Sequence, residues 1–120
     1  MTNKPKYHLF NNTSYAINGL KIAFKYEKSF QIELIIFIIL QVAIFIIPIE
    51  TPYQMILSSS LFLVLIAELV NSAIERVVDL VTTEIHPLAK EAKDLGSSVV
   101  FITIMMVGVI WLFVGYIILI

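Results

Sequence analysis

An all-α integral membrane fold, with an N-terminal amphipathic surface helix and three transmembrane helices, is predicted by three observations. First, the 120-residue, 13.6 kDa chain is 59% hydrophobic and only 14% charged, with a mean hydropathy of +0.94. A soluble domain carries about 25% charged residues. Here 8 basic and 9 acidic side chains would leave large apolar patches in water. Second, the last 26 residues, Leu95–Ile120, carry no charge at all. Third, basic residues cluster on alternate connections between the apolar runs. The length suits a single domain over residues 1–120.

The elements follow in order. The first 31 residues hold Lys4, Lys6, Lys21, Lys25 and Lys28, with Glu27 as the only acid. Ser14 is suited to cap a helix from about Tyr15 to Phe30. Ile17, Leu20, Ala23 and Phe24 fall at helical spacing with lysines off that stripe, which predicts a basic helix lying on a membrane surface over about residues 5–30. The apolar run starts too late for a cleaved signal peptide, and no small-residue cleavage site follows it. Leu34–Ile47 contains one polar residue, Gln41, and predicts a first span over about 32–49, closed by Pro48, Glu50, Thr51 and Pro52. A second span is expected over about 54–81, its later turns interrupted by polar residues. Thr82–Pro87 predicts a loop, with Pro87 suited to the first turn of the next helix. The third span is expected over about 95–120.

Five lysines precede the first span, and Arg76, Lys90 and Lys93 flank the second connection. The connection Ile49–Gln54 has no basic residue. The N-terminus and the second connection are therefore expected in the cytoplasm, with the C-terminus on the opposite side.

The informative stretch is Ala67–Asp94, AELVNSAIERVVDLVTTEIHPLAKEAKD. An ionisable side chain at membrane depth costs roughly 2.5–3.5 kcal/mol on insertion scales and usually faces a bundle interior. At about 100° per residue, Asn71, Ser72, Glu75 and Asp79 all lie within about 60° of Glu68 around a helix. They form one polar stripe about 16 Å long, with Arg76 beside it. On the following helix Lys90 and Asp94 are spaced i,i+4, Lys93 is adjacent, and Ser97 is one turn on. Carboxylates, an amide and a lysine at a membrane boundary suit magnesium and phosphate. Mg²⁺ takes one or two carboxylates plus substrate phosphates, and lysine binds phosphate as a point charge. The deeper acid, Glu68, is placed to act as general base to a lipid hydroxyl, with Glu75 and Glu27 as metal carboxylates.

Plainer roles compete. Polar stripes also serve as helix–helix glue, and a non-enzymatic membrane subunit or proton pathway would use an acidic stripe as a relay. Five polar residues on one face, with Lys93 and Asp94 on the next helix, favour chemistry. Lys90–Asp94 reads as a plain salt bridge, His86 as a loop residue, Gly108 and Gly115 as close-packing positions, and Trp111 as lipid-facing or interfacial. Without cysteine, disulfides and thiolate metal sites are excluded, and two histidines argue against a multi-histidine zinc site. Neither GxxxxGK nor GxGxxG occurs, so a nucleotide would need a cradle of another kind.

The string ELVNSAIERVVD, Glu68–Asp79, resembles the hallmark of the prokaryotic diacylglycerol kinases, small three-span trimeric lipid kinases of the bacterial inner membrane. The resemblance extends through HPLAKEAKDLGS, His86–Ser97, and through Tyr15–Phe30, so it covers essentially the whole chain. It implies ATP-dependent phosphorylation of diacylglycerol to phosphatidate, with Mg²⁺, in a homotrimer whose active sites are shared between neighbouring subunits. It further implies Glu68 as base and Asn71 as its orienting partner. Glu75 and Glu27 would hold the metal and the ATP phosphates. Lys93, Asp94, Tyr15 and the Glu84–Ile85–His86 loop would contact the nucleotide, Asp79 would support them, and Lys21, Ser97 and Trp111 would line the lipid side. His8 stands where the family often has a nucleotide-side arginine. Ile32, preceded by Gln31, stands where many members have Gln before the acid matching Glu33. A branch that phosphorylates undecaprenol is the alternative: HPLAK resembles that branch, whereas Gly96–Ser97 resembles the diacylglycerol branch.

Overall fold

The computed structural model describes Lys6 and His8–Ile120. Lys4, and residue 5 where the surface helix was expected to begin, lie outside the described residues. Four helices follow one another: α1 (Leu9–Tyr26), α2 (Lys28–Ile46), α3 (Thr51–Val81) and α4 (Pro87–Leu119). The last three are long and apolar enough to cross a membrane. At 1.5 Å per residue, α3 and α4 are about 45–50 Å long, well beyond a hydrocarbon core of about 30 Å. Their polar ends, joined by the Thr82–His86 loop, must project from it.

The first helix begins five residues ahead of Ser14, so Ser14 sits inside it and caps nothing. Extended His8 holds the N-cap position without a side-chain cap bond. The helix also ends before Phe30. Glu27 adopts φ −103° and ψ 104°, serving at once as the C-cap of α1 and the N-cap of α2. The break leaves carbonyls at the end of α1 without helical partners. Gln31 fills one of these roles, its Nε2 donating to the Phe24 carbonyl at 2.6 Å. Pro52 falls in the first turn of α3 and Pro87 in the first turn of α4, where a missing N–H is harmless.

The buried side chains make α3 the central element. It contributes Leu57, Ser60, Leu61, Ala67, Glu68, Asn71 and Ser72, against Phe30 and Ile44 from α2 and Gly96 and Val114 from α4. The half of α3 nearer Pro52 packs an apolar cluster of Ile44, Leu57, Leu61 and Val114, with Phe37, Ile110 and Trp111 against it. Three polar contacts pin this half. Gln41 Nε2 donates to the Ser58 carbonyl at 3.0 Å while Ser58 Oγ donates to Gln41 Oε1 at 2.6 Å. Gln54 Nε2 donates to the Ile44 carbonyl at 3.0 Å. Trp111 Nε1 donates to Ser60 Oγ at 2.9 Å. Trp111 is thus fixed into the packing between α3 and α4 rather than pointing wholly at lipid.

Gly108 and Gly115 are not close-packing positions in the single chain, because a Cβ at either would meet nothing within 4 Å. Gly96 is the tight one. A Cβ there would overlap Asn71 Oδ1 and touch Ile74 at 3.6 Å, so a side-chain-free residue lets α4 press against the polar stripe of α3.

Candidate active site

The polar half of α3 is graded. Glu68, Asn71 and Ser72 are buried, with relative exposures of 7%, 8% and 7%; Glu75 is half-buried and Asp79 exposed. The helical period that groups them therefore also sets an axis from the interior to the outside, about 16 Å long at the helical rise. Asn71 Nδ2 donates to Glu75 Oε1 at 3.4 Å, one turn along that axis. Glu75 is close enough to bear electrostatically on Glu68 at one end and on Lys93 at the other.

Two neighbouring elements complete the column. The hinge between α1 and α2 delivers Glu27, whose Oε1 lies 2.9 Å from Arg76 Nη2. On α4, Lys93 Nζ lies 2.8 Å from Asp79 Oδ1, and Lys90 Nζ lies 2.6 Å from Asp94 Oδ2. The i,i+4 pair expected at Lys90–Asp94 is therefore formed, on an exposed surface where such pairs contribute little. Beyond it, Asp79, Glu84, Ile85, His86, Lys93 and Asp94 line one cavity of about 390 Å³ at the projecting end. His86 holds the N-cap of α4, its Nδ1 accepting from Leu88 N at 3.1 Å.

A carboxyl that the sequence pattern did not single out joins the buried end. Glu33 of α2 stands near enough to Glu68 for the two carboxyls to bear electrostatically on each other. Glu33 Oε2 and Asn71 Oδ1 are buried without a hydrogen-bond partner, which is the mark of a site completed by something else. The available signal was an acid inside the span expected over 32–49, one residue before the apolar run.

Other expected site residues stand apart within one chain. Tyr15 is exposed on α1, about 18 Å along the helix from Glu27, and exposed His8 is farther still. Trp111 bonds Ser60, about 12 Å along α3 from Glu68. Exposed Ser97 follows the Gly96 contact with Asn71. Lys21 is the one charged residue on an apolar cleft of about 590 Å³ between α1, α2 and α3, whose walls include Phe24, Phe30, Phe62, Leu65 and Leu69.

A profile of the prokaryotic diacylglycerol kinases matches residues 14–115. The chain belongs to the prokaryotic diacylglycerol kinase family. It is 47% identical over 105 residues to a protein named diacylglycerol kinase from Haemophilus influenzae, covering 87% of this chain and 88% of that one. It is 35% identical over 103 residues to the Pseudomonas aeruginosa diacylglycerol kinase, covering 86% and 84%. With the Escherichia coli K12 diacylglycerol kinase it shares 36% identity over 97 residues, covering 81% and 80%. Membership makes the chain a lipid kinase and sets aside the non-enzymatic subunit or proton pathway.

For such a kinase the donor set suits Mg²⁺. Among the described residues no three His, Asp or Glu side chains converge into a metal cage. Glu27 and Glu75 offer two hard carboxylates in the graded column. That is the share a protein supplies when nucleotide phosphates and water provide the remaining ligands.

Proposed function

We propose that the kinase transfers the γ-phosphate of MgATP to the primary hydroxyl of diacylglycerol, giving phosphatidate and ADP, by direct in-line attack without a phospho-enzyme. The observation that carries this reading is the buried Glu68 carboxyl, set beside Glu33 at the inner end of a column of acids whose outer end holds Lys93.

Glu68 accepts the proton as the lipid oxygen forms its bond to the γ-phosphorus and the bond from that phosphorus to the β-bridging oxygen breaks. Asn71 orients Glu68 or the transferring phosphoryl group. Glu27 and Glu75 hold the metal. Mg²⁺, when bound, neutralises the phosphate oxygens. Lys93, Asp94, Tyr15 and the Glu84–His86 loop hold the nucleotide, with His8 in the position of the family arginine. Asp79 keeps Lys93 in place through their ion pair. The diacylglycerol tails lie against the apolar side of α3, with Lys21, Ser97 and Trp111 on the lipid face. The cleft beside Lys21 reaches Leu69, the neighbour of Glu68. Its walls exclude water from the lipid end of the site. The kinase resides in the bacterial inner membrane with the N-terminus and the α3–α4 loop in the cytoplasm, as a homotrimer with shared sites.

The experiment offers diacylglycerol and undecaprenol separately to purified protein in mixed micelles with γ-labelled ATP. Label is expected in phosphatidate, and its appearance in undecaprenyl phosphate alone would reassign the substrate. Glu68→Gln is expected to lower transfer at least 100-fold, on the order of what a general base contributes. Full turnover in that variant would remove Glu68 as the base.

A further inference from the structure

Arg76 has no role in the scheme above, yet it makes the ion pair closest to the proposed metal carboxylates. Its Nη2 lies 2.9 Å from Glu27 Oε1, and it directly follows Glu75 in the chain. The Glu27 side chain is 21% exposed, whereas that of Arg76 is 48% exposed. The carboxylate is the more enclosed partner, and the guanidinium has the greater access to solvent. The second cation of the column, Lys93, is tied in the same way to Asp79.

We propose that Arg76 is an exchangeable counter-ion of the active site. It neutralises Glu27 while the nucleotide is absent. It turns to the phosphate oxygens of bound MgATP once Mg²⁺ claims Glu27. Three physical points support this. A metal draws negative charge from the carboxylate it ligates and competes for its oxygens, so the salt bridge from Glu27 to arginine weakens when the metal binds. The guanidinium presents five N–H donors in a planar fork that fits two phosphate oxygens at once, which an ammonium cannot do. Its partial exposure means that leaving Glu27 uncovers little buried charge. The same exchange would hold the α1–α2 hinge against α3 before nucleotide arrives, since Glu27 is the residue at which those helices break.

The inference rests on Glu27 being a metal carboxylate, and the test separates the two. Mn²⁺ binding without nucleotide is measured by electron paramagnetic resonance. Binding of a non-hydrolysable MgATP analogue is measured by calorimetry. Both use the wild type, Arg76→Gln, Arg76→Lys and Glu27→Gln, in detergent. Arg76→Gln is expected to bind Mn²⁺ several-fold more tightly, because a competitor for Glu27 has gone, and the analogue about tenfold more weakly, because a phosphate contact has gone. Arg76→Lys, which keeps the charge, is expected to fall between. Opposite shifts of metal and nucleotide are a signature that a merely structural brace would not give. Arg76→Gln with both affinities unchanged, or with both lowered together, overturns the proposal. Glu27→Gln with unchanged Mn²⁺ binding instead overturns the metal role of Glu27, and the exchange with it.

Discussion

At the scale of single residues, burial separates chemistry from surface charge more sharply than residue type does. Glu68 and Asp79 lie on one stripe, yet one is buried and the other exposed. Gly96 shows how narrowly the buried end is fitted. In Gly96→Ala the new methyl meets the end of the Asn71 side chain, which is able to rotate away. Replacing a helical glycine by alanine gains about 1 kcal/mol in propensity. Stability is therefore expected to stay within about 1 kcal/mol, while turnover falls at least tenfold because Asn71 has left its place. Thermal unfolding in detergent and the micelle assay check the two halves; unaltered turnover would mean that the position of Asn71 is unimportant. The stripe from Glu68 to Asp79 was legible because helical period alone aligns it. Glu33 was not, because a single acid at the edge of an apolar run looks the same as a residue marking the membrane boundary. Only the packing of α2 on α3 brings it to Glu68. The ion pairs Arg76–Glu27 and Lys93–Asp79 were hidden for the same reason: periodicity orders residues within a helix and says nothing about register between helices.

At the scale of elements, the three apolar helices and the Pro87 start of α4 followed from apolar runs and proline chemistry. Ser14 misled because a serine ahead of an apolar-periodic segment is a capping signal only when the chain before it is not helical. Here the helix already runs from Leu9. The break at Glu27 carries no glycine or proline to announce it, and Gln31 stabilises it from the following helix. The lower half of the bundle depends on polar contacts that a hydropathy profile counts only as interruptions. Gln41→Leu removes both hydrogen bonds to Ser58. It is expected to cost about 0.6–1.7 kcal/mol, the range of interhelical hydrogen bonds in membrane bundles. Turnover without denaturant should stay near wild type, because Gln41 lies about 12 Å along α2 from Glu33. A chemical-denaturation midpoint identical to wild type would show that the lock contributes nothing.

At the scale of the whole molecule, one chain leaves much of its apolar surface uncovered. Large side chains such as Ile39, Phe45, Phe101 and Phe113 are more than half exposed, which requires lipid or further subunits around them. The expected nucleotide contacts Tyr15 and His8 lie far from the acid column of their own chain. The proposed homotrimer with shared sites would account for both features. Co-assembly of two inactive variants, Glu68→Gln and Tyr15→Ala, tests it. Shared sites are expected to restore measurable activity, since some interfaces then set an intact acid column against an intact Tyr15 from the neighbouring chain. Mixed trimers that stay inactive would place each complete site within one subunit.

The graded burial of α3 has one further consequence. Glu68 follows immediately on the apolar run that ends at Ala67, and the uncharged run of α4 begins at Leu95, so the proposed base is pinned to the rim of the hydrocarbon layer. Bilayer thickness then becomes a setting on the enzyme. A thin bilayer leaves Glu68 above the level of the lipid hydroxyl, and a thick one draws the outer acids into oil or forces the helices to tilt. In vesicles of increasing acyl length, turnover of a fixed diacylglycerol is expected to pass through a maximum where the hydrocarbon thickness is about 30 Å. A flat profile across that series would mean that the helices, rather than the membrane, set the height at which the lipid meets its phosphate.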